Sequence, residues 1–265
     1  MLPFEDFTQT AKGIARQIGE TLRSKKEAAQ TAGRQQYEKL LAMTEQTIDW
    51  AVQTQKQLQK QTQQTAKHLA EILTTFIPRA QQVIEQAMRR VLQGEPVPAA
   101  EKIVSIFEEH TDIICRGKEA RPVEYGHKLW LNEVEGGLVS HSRILDGNPS
   151  DEQQWKPSLQ AHLATFQQPP VQASADRGLS SEPNEKFAHD LGIRHVILPK
   201  RGYRSKARLK HEHQAWFVKG RVEGRISVLK RAHGMGRCLA HGLTGFHCWV
   251  GWGVIAGNLA VLGRT

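Results

Sequence analysis

Cysteine is scarce: Cys115, Cys238 and Cys248 are the only three in 265 residues. An odd number at no paired spacing excludes a disulfide framework and fits a reducing cytoplasm. No signal-peptide pattern opens the sequence, which points the same way. Aromatic residues make up only 6%. Long apolar runs are absent until 245–262, GFHCWVGWGVIAGNLAVL, where His247, Asn258 and the glycines interrupt the run. That composition predicts a helix buried against a sheet and no membrane span. His233, Cys238, His241, His247 and Cys248 cluster nearby, but their spacing fits no ordinary structural zinc pattern.

Acidic residues are also missing where they would matter most. Residues 194–231 hold 12 Lys+Arg against 2 Asp+Glu, a net +10, whereas 101–193 hold 9 against 15, a net −6. A basic block of that density beside an acidic region predicts a polyanion laid along one surface.

What is present divides by period. Phe4, Phe7, Ile14, Ile18 and Leu22, then Leu40, Leu41, Met43, Ile48 and Val52, recur at helical spacing. The Gln-rich tract 53–64 reads as an exposed continuous helix or a flexible tract. Leu69, Ile72, Leu73 and Phe76 lead to Pro78, and Val83, Ile84, Met88, Val91 and Leu92 lead to Gly94, so two helices are predicted to meet near Pro78. GEPVPAAE, 94–101, breaks the pattern and is read as the boundary between an α-helical arm, 1–98, and a second domain, 101–265.

Past the boundary the period becomes that of strands. Ile103–Phe107 and Asp112–Cys115 are short apolar runs, and 126–133 and 138–148 flank Gly136-Gly137 as a hairpin. A helix over 151–166, a strand over 171–178, a helix over 183–191 and a strand over 195–198 follow, then a basic loop, 200–211. The order is that of an α/β domain, in which functional residues stand at the carboxyl ends of parallel strands; Asp176 falls at such an end.

The segment Trp216–Arg231 reads as one helix with two faces. Val218, Val222, Ile226 and Leu229 form an apolar stripe, and Trp216, Lys219, Glu223 and Lys230 line a second face roughly 90° away. Glu223, flanked by ammonium groups, suits a hard divalent cation while the lysines hold phosphate; the plainer alternative is a solvated ion pair. Asp176 and Glu223 meeting in one cleft would suit a two-metal phosphoryl-transfer site.

These segments resemble the carboxyl half of bacterial insertion-sequence DDE transposases. The likeness is carried by ADRGLSSEPNEKFAHDLGIRHVILPKRG, VEGRISVLKRAHGMGRC and GFHCWVGWGVIAGNLAVLGR, and extends back through FEEHTDIICRG, GHKLWLNE and ILDGNPSD, roughly residues 100–264. The resemblance implies a ribonuclease-H-like fold preceded by a helical insertion, and DNA cleavage and strand transfer with Mg²⁺, or Mn²⁺, as cofactor. Asp176 matches the second catalytic Asp and Glu223 the catalytic Glu, both as metal ligands. The family's Tyr-x2-Arg-x3-Glu-x6-Lys signature reads here Trp216, Lys219, Glu223 and Lys230, so two of its four positions are altered. Lys for Arg at 219 loses bidentate geometry.

The resemblance also implies that the first catalytic Asp precedes the helical insertion, and no strand for it is found; Asp112 and Asp146 each match a different family position. The expectation is therefore an amino-truncated domain without its first strand, inactive alone and poorly soluble through an exposed sheet edge. DNA at the transposon ends is the expected partner, gripped by Lys200, Arg201, Arg204, Lys206, Lys219, Arg221, Arg225, Lys230 and Arg231, with a second copy or a full-length transposase alongside. A nucleoid-associated cytoplasmic setting follows. The alternative is a non-catalytic DNA-binding regulator that pairs with a full-length transposase through the helical arm.

Overall fold

A computed structural model describes residues 4–21, 26–116, 122–198 and 224–264, in two compact units, Met1–Thr111 and Asp112–Thr265. The chain is mixed α/β, 60% helical with small sheets.

The first unit is built on three helices, α1 (Thr8–Thr21), α2 (Glu27–Leu58) and α3 (Gln64–Ala87). α1 is launched by Asp6, whose Oδ1 accepts the Thr8 N–H at 2.9 Å. The paired hydrogen bonds to Thr8 hold the Asp6 carboxyl below its ordinary range. α1 lies against α2 with Phe7 stacked on Trp50 at 5.6 Å and Ile18 buried. Between α2 and α3, Ile48, Ile77 and Ile84 form a core with Leu41, Val52 and Leu73 around them.

The turn between these helices falls in the Gln-rich tract, at residues 59–63, and not at Pro78. Pro78 lies inside α3 and the helix continues through it. One lost backbone bond is outweighed by burial of Ala70, Ile77 and Ile84 along a single stripe that spans the proline. The strand expected over Ile103–Phe107 does not form either. Its backbone is engaged by side chains of α3: Gln86 Nε2 donates to Ile103 O at 2.7 Å, Ile103 N donates to Gln86 Oε1 at 3.0 Å, and Arg79 donates to Ile106 O at 3.0 Å. Arg79 also pairs with Glu109 at 2.6 Å, so the chain past the 94–101 break stays with the helices as far as Thr111.

The second unit holds three two-stranded sheets among the described residues. β1 (Asp112–Cys115) pairs antiparallel with β2 (Val123–Gly126), and β3 (Lys128–Glu133) with β4 (Val139–Leu145). The β3–β4 turn needs positive φ at Gly136 and Gly137, +86° and +83°, which glycine adopts without strain. A short 3₁₀ turn, Asp151–Gln154, leads into α4 (Trp155–Phe166). β5 (Gln172–Ser174) and β6 (His195–Ile197) pair in parallel, joined by α5 (Glu182–Asp190). Trp155, Leu159, Leu179, Ala188, Ile193 and Leu198 form the core beneath them.

α6, described over 224–232, and α7 (Gly242–Leu262) complete the unit. Leu229, Met235 and Val250 pack with Leu129, Leu131 and Ile144 of the β3–β4 hairpin. α7 is not the fully buried helix expected of its composition. It buries Val250, Gly253, Val254 and Gly257, while Trp252, Ile255, Leu259 and Leu262 face outward. It is the one helix among the described residues long and apolar enough to cross a membrane.

Candidate functional site

Asp176 stands where a parallel strand ends. The β5–β6 ladder pairs Gln172 with His195 and Ser174 with Ile197, and Ala175 N extends it to Ile197 O at 3.2 Å. Asp176 follows, exposed, and its carbonyl accepts Leu179 N at 3.0 Å as the chain turns through the 3₁₀ segment Arg177–Leu179. Leu179 is 3% exposed and Leu198 1% exposed, in the same core, so the ends of both strands are anchored from below.

Two residues whose role in this loop is not evident in the sequence, Asn184 and Trp155, hold it in place. Asn184, 4% exposed, donates through Nδ2 to Leu179 O and to Glu152 O, each at 3.0 Å. The Trp155 indole donates to Asn184 O at 3.1 Å. One amide thus ties the Asp176 turn to the 151–154 turn. Asp151 is brought close by that arrangement: a Cβ on Gly178 would lie 4.0 Å from Asp151 Oδ2. Lys128 Nζ holds Asp151 at 3.2 Å and the Pro149 carbonyl at 2.8 Å. The stretch Asn148-Pro149-Ser150-Asp151 reads in sequence only as a helix start, which it also is.

Of the residues singled out around the α6 helix, Trp216, Lys219, Arg221 and Glu223 lie outside the described residues, as do Val218 and Val222 of its apolar stripe and Lys200, Arg201, Arg204 and Lys206 of the basic loop. Arg225, Lys230 and Arg231 are described, and they separate. Lys230 is exposed and Arg231 bonds Ser227 on the surface. Arg225 turns inward: its Nε lies 3.6 Å from Glu133 Oε2, with the side chains 17% and 7% exposed. Its guanidinium passes over Gly137, where a Cβ would meet Nη2 at 2.5 Å.

The buried side of α6 is accordingly rotated from the stripe read in sequence. Leu229 is 2% exposed as expected, but Ile226 is 40% exposed and its place toward the hairpin is taken by Arg225. A residue-type pattern marks Arg as a surface cation; only the approach of Glu133 and the bare Gly137 makes the inward position tolerable.

Asp112 and Asp146, which each match a different position of the family pattern, differ in their local chemistry. Asp112, on β1, lies 2.7 Å from His127 Nδ1, in a pocket closed by Phe246 at 4.8 Å from the His127 ring. Asp146 follows β4 and is exposed. Among the described residues no group of three or more His, Cys, Asp or Glu side chains is arranged to hold a metal ion. Asp176 offers one hard oxygen donor at a strand end, the donor type Mg²⁺ takes. No protein-family model, curated protein or solved structure matches the chain.

Proposed function

We propose that the chain is the DNA-gripping and metal-binding part of an insertion-sequence DDE transposase, ribonuclease-H-like in its finer fold. Two catalytic carboxylates, Asp176 and Glu223, stand in this sequence. The observation that carries the reading is the position of Asp176. It lies at the carboxyl end of β5, beside the end of β6, and Leu198 at that end is followed in sequence by the basic loop 200–211, which holds much of the charge of the +10 segment. An exposed carboxylate and the start of a polyanion-binding segment thus share one end of a parallel pair, the usual place for a site in an α/β unit.

In this reading Asp176 and Glu223 hold Mg²⁺, which stabilises charge on the attacking and leaving oxygens of a phosphodiester when bound. The basic residues between 200 and 231 hold the flanking phosphates and set the register of the duplex. Arg225, paired with Glu133, is left out of that grip and steadies α6 on the hairpin. Asp112 is engaged by His127, so a third ligand for the site is not taken from it. The chain alone is therefore proposed to bind DNA without cutting it.

The test is a nicking assay on transposon-end DNA with Mg²⁺ and with Mn²⁺. Binding without turnover supports the proposal. Turnover that Asp176→Ala abolishes would show that this chain completes a catalytic site alone. DNA binding with no dependence on Mg²⁺ or on Glu223 would favour the regulator, and no DNA binding at low salt would remove both readings.

A further inference from the structure

The outward face of α7 has a regular seam. Cys248, Trp252, Ile255, Leu259 and Leu262 follow one another at intervals of four, three, four and three residues, the repeat of a coiled-coil contact line. All five are exposed, Trp252 at 70% and Leu259 at 63%. The opposite face is already occupied. Gly253 and Gly257 admit Met235 and Leu229, and the Asn258 amide bonds both backbone groups of Val139, accepting from N at 2.8 Å and donating to O at 2.9 Å. No Lys, Arg, Asp or Glu lies between 242 and 262.

We propose that this seam pairs antiparallel with the same seam of a second copy of the chain. A two-fold axis between positions 253 and 254 places Trp252 against Ile255, Leu259 against Cys248 and Leu262 against Gly245. Each large side chain then meets a smaller one, and the two classes of seam position alternate across the layers as they do in antiparallel pairs. A parallel pair would instead set Trp252 on Trp252 and Leu259 on Leu259, with the helix dipoles aligned and the two Arg264 side chains together. Burying the five exposed side chains removes on the order of 500 Å² per copy, about 1,000 Å² in all, at the lower bound for a specific interface. The dimer is thus expected to dissociate in the micromolar range. No charge has to be desolvated within the seam.

Sedimentation velocity of the full chain from 1 to 100 µM tests this, together with air oxidation. The expected result is a monomer–dimer equilibrium that Leu259→Glu weakens at least tenfold with an unchanged far-UV spectrum; Leu259→Ala serves as the milder variant should Glu disturb folding. Cys248 should form no disulfide with its counterpart, because the register separates the two by about 16 Å along the axis. A monomer throughout, or a dimer insensitive to both Leu259 variants, overturns the proposal. So does a Cys248–Cys248 disulfide within the dimer, which requires the parallel pair. A monomer that sediments with phosphatidylglycerol vesicles assigns the face to a lipid surface instead.

Discussion

Asn184 holds the Asp176 turn with an uncharged amide. Its two donated bonds satisfy carbonyls in a nearly solvent-free pocket, and removing the amide leaves both unmet. Asn184→Ala is expected to cost about 2 kcal/mol and to lower the melting temperature by several degrees in calorimetry. The Arg225–Glu133 pair gives a sharper contrast, because breaking a buried pair leaves an uncompensated charge while removing both charges does not. Arg225→Met should cost about 3 kcal/mol, and combining it with Glu133→Gln should recover a large part of that loss in denaturant unfolding. Asp176 was legible in the sequence because strand period and the following Arg-Gly turn both mark a strand end. Asn184 was not, since an Asn three residues after Ser181 reads as ordinary helix-start chemistry, and its partners are 5 and 32 residues away.

At the scale of elements, α7 shows how composition misleads about burial. Its residues are apolar on all sides, so hydropathy predicts a buried helix, but the hairpin and α6 cover only one side. The glycines that interrupt the run are the reason that side packs closely: a Cβ at Gly257 would lie 2.7 Å from Leu229 Cδ2, and one at Gly253 would overlap Met235 Sδ. Gly257→Leu is expected to destabilise the second unit by about 2 kcal/mol through overpacking, read as a lower denaturant midpoint. α3 shows the converse at Pro78, where the single stripe of buried residues overrides a local breaker that by itself predicts a corner. The β3–β4 hairpin and the β5–α5–β6 unit were readable because their turn glycines and apolar runs agree with one another. α1 has a pH-dependent start. The Asp6 carboxyl, held below its ordinary range by Thr8, supports the helix end above the usual carboxylate pKa, and that support is lost as pH falls through and below about 4. Amide protection at Ala11 and Lys12, taken relative to the intrinsic exchange rate at each pH, should fall over that window, and Asp6→Ala should remove the dependence.

At the scale of the molecule, charge is the property that sequence states most plainly. A net +10 over 194–231 beside a net −6 over 101–193 is independent of fold, and it fits a DNA partner in the proposed reading. Affinity for duplex DNA should fall steeply with salt, and replacing Lys200, Arg201, Arg204 and Lys206 by Ala should reduce the slope of log K against log salt by up to about 4. The sheet arrangement was less legible. Strand runs were found in order, but which strands pair depends on long-range contacts that no local pattern encodes, and among the described residues they form three pairs.

The claim on which the functional reading turns is that Asp176 and Glu223 share a metal. Electron paramagnetic resonance of Mn²⁺ titrated into the protein–DNA complex measures it directly. Bound Mn²⁺ should be lost in Asp176→Ala and equally in Glu223→Ala, with DNA affinity retained in both. Mn²⁺ binding that either variant leaves intact would contradict it.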